Sequence, residues 1–206
     1  VSRIQAAQTN LLKVFDEHIA DNDTVGFMPF NHRLVETSGF EPEQVQVMER
    51  RIMRDALMRG SATARGGTAF WDALVHTSQV AAARPEVVWV IALTDGADQH
   101  STGSFDDAFN KLRGAGLNLI IIGIDLDKQP AEYIPMMEQL CSITPMSTFI
   151  NAAGGLEGLN AAVAKVAALI SGGADSSGAE ATEAATAEYV EHELKLTLDN
   201  LSFTLV

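Results

Sequence analysis

An α/β fold, doubly wound around a mainly parallel sheet with helices on both faces, is predicted by three features of the sequence. Two runs, 87–94 (VVWVIALT) and 117–124 (LNLIIIGI), are apolar almost throughout and rich in β-branched residues. Such runs are short for a helix and lack the alternation of a strand wetted on one face. They read as strands buried on both faces, which is the pattern of a parallel-sheet interior. The third feature is order: amphipathic helical periods lie between the strands along the chain, as crossover connections require.

Taken in order, Ile4, Ala7, Leu11, Phe15 and Ile19 recur at helical spacing and predict a helix over 3–19. Asp21-Asn22-Asp23 makes a turn, a strand follows over 24–30, and 33–35 is its expected antiparallel partner before Gly39. Glu41-Pro42 opens a second helix, with proline at the favoured first position. It carries Val45, Met48, Ile52 and Ala56 inward and stops at Gly60, and Glu49-Arg50-Arg51 forms a solvated face. Residues 64–74 (ARGGTAFWDAL) are a glycine-rich loop entering a helix that precedes the 87–94 strand. Ser104, with Asp107 three residues on, caps a short helix closed by Gly114 and striped by Phe105, Phe109 and Leu112. After the 117–124 strand come a helix over 131–140, a strand over 147–151 and a helix over Leu156–Ile170. Leu156, Leu159, Val163, Val166 and Ile170 lie on one face of the last.

These elements assign residues 1–170 to one α/β domain. Residues 171–187 (SGGADSSGAEATEAATA) are small, polar and acidic, so 171–190 reads as a flexible acidic linker. Residues 191–206 then form a C-terminal β segment, with 192–198 alternating, Asp199-Asn200 as a turn and 201–206 (LSFTLV) as a strand.

Charge narrows the partners. With 27 acidic residues against 14 basic, a net charge of −13 argues against nucleic acid or an anionic membrane as the main partner, since both need a basic face. No apolar run approaches the roughly 18 residues of a membrane span. A single cysteine, Cys141, excludes an internal disulfide framework and reads as a packed thiol. With no signal-peptide pattern at Val1-Ser2-Arg3, it tilts the expectation towards the cytoplasm.

The chemistry is expected where ligands bind in such sheets, beyond the C-terminal ends of the strands. Two loops converge there, one carrying Thr68 after Gly66-Gly67, the other carrying Asp95 before Gly96. A hydroxyl and a carboxylate are hard oxygen donors, suited to Mg²⁺ or Mn²⁺. A cation held by so few charges stays net positive and open to a carboxylate from a partner. The plainer reading is that Thr68 caps the helix at Ala69 and Asp95 closes a turn. Spacing alone leaves both open. No catalytic residue is assigned: His18, His32, His76, His100 and His192 show no metal-ligand spacing. His100, near Asp95 and Ser101, lacks a nucleophile elbow, and no glycine-rich phosphate cradle follows a strand. Met48, Met53, Met136 and Met137 read as core fillers.

The two loops resemble those of the von Willebrand factor type A domain. Its second loop, GGTxLxDAL, is similar to 66–74 (GGTAFWDAL), and its third, a buried strand ending in TDG, to 90–96. The element order fits over 3–170. The resemblance implies a doubly wound sheet and a metal-ion-dependent adhesion site. Thr68 would be a direct ligand and Asp95 a direct or water-mediated one, for Mg²⁺, Mn²⁺ or Ca²⁺. It implies an adhesion-type module, not an enzyme, that captures an acidic side chain of a protein partner. The alternatives are a metal-independent structural module, or a hydrolase or nucleotide-binding enzyme using the same edge. One departure is large. The family's first loop, DxSxS, and the strand before it belong ahead of the 3–19 helix, and neither is there, so the site is expected to be incomplete. The lost strand would be central, beside 87–94, and a gap there would expose two strand edges. The expectation is that 201–206 fills the slot between 24–30 and 87–94, in a chain either circularly permuted or cut across tandem domains. A C-terminal hairpin of 191–198 with 201–206 is the alternative.

Overall fold

The computed structural model describes residues 3–19, 23–28, 30–31, 43–44, 54–55, 67–95, 97–154, 156–170 and 202–205. Helix α1 (Arg3–His18) leads to β1 (Thr24–Phe27) and a two-residue strand, β2 (Glu43–Gln44). Helix α2 (Phe70–Ala82), β3 (Val88–Thr94), α3 (Phe105–Ala115) and β4 (Asn118–Ile124) follow. A 3-10 turn (Leu126–Lys128), α4 (Tyr133–Leu140), β5 (Thr148–Ala152), α5 (Leu156–Ile170) and β6 (Ser202–Leu205) complete the order.

The strands form one sheet in the order β2-β1-β6-β3-β4-β5, parallel at every pairing except β1 with β2. The two apolar runs are interior strands, and alternate side chains serve opposite faces. Trp89, Ile91, Ile120 and Ile122 pack with Val14, Phe15 and Ile19 from α1 and its end, and with Leu159, Val163 and Val166 of α5. Val88, Val90, Ala92, Leu119 and Ile121 pack with Phe70 and Leu74 of α2, Leu112 of α3, and Met137 and Leu140 of α4. Burial on both faces explains why neither run alternates. Each fully buried isoleucine contributes about 2 kcal/mol, so these strands anchor the fold. The first layer is also pinned by a hydrogen bond from Asn10 Nδ2 to Asn160 Oδ1, at 2.9 Å, joining α1 to α5.

Strand β6 lies in the interior, parallel to both neighbours. Thr204 pairs with Gly26 of β1 on one side and Val90 of β3 on the other. Residues 202–205 of the expected 201–206 strand therefore occupy the slot beside the central strand. The remainder of the expected linker and hairpin, residues 171–201, lies outside the described residues.

Several expectations need correction. The strand at 24–30 ends at Phe27, with Phe30 an isolated bridge residue. Its expected partner at 33–35 lies outside the described residues, and β2 takes that edge instead, Thr24 opposite Gln44 and Val25 opposite Glu43. Glu43 and Gln44 are thus extended, where a helix was expected to begin. The open N–H and C=O groups along β1 draw them into pairing, which outweighs the local helical signal. Of that helix, Arg54 and Asp55 are helical, and the Arg54 guanidinium bonds Asp16 of α1 at 3.1 Å. The Ser104 capping box forms as expected, and the Ser104 hydroxyl and N–H, both donating to the Asp107 carboxylate, hold that carboxyl below its ordinary pKa. The helix closes two residues later than expected, at Gly116, whose φ of 68° supplies the left-handed residue; Gly114 is inside the helix. The thiol of Cys141 is buried and pushed up to about 12, which makes it inert.

Candidate functional site

The C-terminal edge of the sheet is built from the loops after β1 and β3 and the loop before α2. Strand β3 ends at the buried Thr94, and Asp95 follows it at an exposed position. Gly67 and Thr68 run into α2, and the Ala69 N–H donates to the Asn31 carbonyl beyond β1 at 2.6 Å. The Thr68 carbonyl accepts from the N–H groups of Gln99 and His100, at 2.9 and 3.0 Å. The loop that Asp95 opens is thereby zipped to the loop that carries Thr68. The two candidate residues stand on joined loops.

Thr68 does not cap α2. The N-cap is Ala69, with no side-chain bond of its own. The open amides of the first turn are taken from across the site: Trp71 N–H donates to Asp98 Oδ2 at 2.9 Å, and Asp72 N–H to Ser101 Oγ at 3.0 Å. Asp98 in turn accepts from the Ser101 hydroxyl at 2.5 Å and the Ser101 N–H at 3.2 Å. Asp72 reciprocates, its carboxylate accepting from Thr102 N–H and Gly103 N–H, both at 2.9 Å. A carboxylate at a helix N-terminus meets open donors and the positive end of the helix dipole together. Asp98 does this for α2, while Asp72 does the equivalent for the loop entering α3.

A third element is tied in by Tyr133, whose hydroxyl donates to the Asp98 carbonyl at 2.9 Å. Partial burial and the nearby Asp98 charge push the Tyr133 phenol above its ordinary pKa. Its ring stacks on Trp71, with centroids 6.3 Å apart, and Phe105 meets the same indole edge-on at 5.5 Å. Trp71 is the apolar floor under this polar brace.

His100 is exposed, and its imidazole lies against Gly67. A Cβ built at Gly67 would sit 2.1 Å from His100 Cε1 and 2.2 Å from Nδ1. Gly67 is therefore needed for this close approach. Because the obstacle is an exposed side chain that can rotate away, Gly67→Ala is expected to cost no more than about 1 kcal/mol. It should instead displace the ring, seen as a change in the His100 imidazole resonances by NMR; unchanged resonances would refute the contact.

Sequence reasoning passed over Asp98 and Tyr133, met Asp72 only as a letter of the 66–74 motif, and weighed Ser101 only as a nucleophile. The usable signal was Asp98 three residues before Ser101, a spacing at which Asx-type turns form. Thr68 and Asp95 fit a hard cation in kind, as hydroxyl and carboxylate oxygens. They do not fit it in number: among the described residues no three His, Cys, Asp or Glu side chains gather where they would hold a metal. Among the described residues, no helix is long and apolar enough to cross a membrane.

No family model matches the sequence, and no curated protein matches it. Among solved structures, the chain is similar to a von Willebrand factor type A protein from Catenulispora acidiphila, at a TM-score of 0.61 and 18% identity. That likeness covers 82% of this chain and 38% of the other, so this chain spans less than half of that protein's length. It is also similar to the conserved hypothetical protein BatB from Bacteroides thetaiotaomicron, at a TM-score of 0.56 and 15% identity, over 82% of this chain and 88% of that one.

Proposed function

On a fold of the von Willebrand factor type A kind, we propose that this chain is a protein-interaction module, not an enzyme. It docks an acidic group of a protein partner at the C-terminal edge of the sheet, beside Thr68 and Asp95. The observation that supports this reading is the placement of Asp95. It is an exposed carboxylate at the end of an interior strand, on a loop hydrogen-bonded to the one carrying Thr68. A brace of this kind holds a docking surface still before a partner arrives, which lowers the ordering cost of binding.

Thr68 and Asp95 would hold Mg²⁺, Mn²⁺ or Ca²⁺ weakly, with a dissociation constant on the order of 10⁻³ M, as in low-affinity oxygen-ligand sites. Such a cation supplies a positive centre open to the partner's carboxylate. The second reading, a metal-independent scaffold, is favoured by the lack of a third charged ligand among the described residues.

Calorimetric titration with Mg²⁺ and Mn²⁺ separates the two. Weak binding by the wild type that disappears in Asp95→Ala is the expected result. No heat from the wild type would favour the scaffold, and Asp95-dependent turnover of a nucleotide or ester would overturn both in favour of an enzyme.

A further inference from the structure

The strand that completes this sheet is joined to the rest by a long connection. Helix α5 ends at Ile170 and β6 begins at Ser202, leaving 31 residues between them. Their sequence opens with SGGADSSGAEATEAATA, which offers little apolar surface to anchor it to the domain. A flexible chain of that length has a root-mean-square span of about 30 Å, comparable with the width of a domain this size.

The slot that β6 fills cannot stand empty at low cost. Without it, β1 and β3 would each present an open edge in the middle of the sheet, next to the apolar cores on both faces. Yet β6 is only four residues long, and its pairing is to β1 and β3. A β6 from another molecule would make the same pairings in the same register. The closed and exchanged forms therefore share their native contacts, the condition under which strand exchange is cheap.

We propose that β6 is an exchangeable strand: the slot between β1 and β3 accepts the Ser202–Leu205 strand of a second copy of this chain, giving a strand-exchanged dimer at high concentration. In that dimer the partner copy completes the sheet edge that carries Asp95, since Leu205 lies opposite Ile91, in the same strand that leads to Asp95. The balance is set by concentration. A connection whose sequence has linker composition would hold its own strand at an effective concentration of about a millimolar, so exchange competes as the protein approaches that level. The net charge of −13 on each copy opposes association, so added salt favours the dimer.

The test uses two full-length variants, Thr24→Cys and Ser202→Cys, whose Cα positions are paired between β1 and β6. Strands are spaced about 4.8 Å apart, within disulfide reach; native Cys141 stays, being buried. Differently tagged copies are mixed, unfolded, refolded together at about 10 μM or about 1 mM, bracketing the expected crossover, and oxidised. A disulfide between these two variants forms only between chains, and above the level of random collision it requires β6 of one copy in the slot of the other, where Thr24 and Ser202 are paired. The expected result is a linked heterodimer that rises at least fivefold from the dilute to the concentrated sample, and rises further with salt. A second pair, Thr24→Cys with the exposed Glu157→Cys, reports random collision between thiols on different chains. Heterodimer no more abundant than with this pair at the higher concentration would overturn the proposal. The double variant Thr24→Cys/Ser202→Cys, forming an intrachain link in dilute solution, confirms that both substitutions leave β6 seated. A failure of that link would also overturn it.

Discussion

Thr204→Pro is expected to lower stability by about 3 kcal/mol or more, since proline removes an amide donor and brings a ring into a strand interior. Thr204 is the position where this matters most. It is flanked by Gly26 on one side and Val90 on the other, so neither edge of β6 faces water. A proline there removes a ladder bond to one neighbour and crowds its ring against that strand, weakening the hold of β6 between β1 and β3. Thr204→Val keeps the amide and the β-branched shape and should change stability by less than about 1 kcal/mol. Urea denaturation of the two variants measures the difference. If Thr204→Pro unfolds at nearly the wild-type midpoint, β6 is not an interior strand.

The fold was legible where local sequence decides the structure. Val88 to Thr94 and Asn118 to Ile124 are apolar on both alternating faces, and two covered faces are the only surroundings that suit them. The place of β6 was legible differently. Nothing in the composition of LSFTLV alone specifies an interior position; the resemblance to the von Willebrand factor type A domain, whose central first strand is not found ahead of α1, pointed to it. What escaped depends on contacts between distant segments. Glu43 and Gln44 become a strand because β1 has an open edge, which no local pattern announces. Gly116 closes α3 in place of Gly114, because the helix end is set by where the chain must turn into β4. The same division holds at the candidate site. Thr68 and Asp95 stand out as polar residues beside glycines at the ends of apolar elements. The brace beneath them does not, because Asp98 and Trp71 are 27 residues apart and Asp72 and Gly103 are 31 apart. That separation also explains why Thr68 was read as a possible cap for α2: the nearest hydroxyl in sequence was credited with a task that a distant carboxylate performs.

Asp98 is accordingly the residue whose loss should do most damage to the candidate site. Asp98→Ala removes the acceptor for Trp71 N–H and for both donors of Ser101. Hydrogen bonds to an ionised carboxylate are worth about 2 kcal/mol each, but this one is half-exposed, and water takes over part of its role. A net loss of about 2 kcal/mol is expected, comparable with the larger losses seen when a helix cap is removed. Two further variants apportion it. Tyr133→Phe takes away a single bond to the Asp98 carbonyl and should cost about 1 kcal/mol. Ser101→Ala removes the link from Asp98 to Asp72 N–H while leaving the bond to Trp71, and should fall between the two. Hydrogen exchange gives the local reading that stability alone does not. In Asp98→Ala the amides of Trp71 and Asp72 should lose protection well before those of β3 and β4, whereas in Tyr133→Phe they should stay protected. Equal protection at Trp71 in the wild type and Asp98→Ala would show that this carboxylate does not hold the first turn of α2, and the brace between the two loops would have to be rejected.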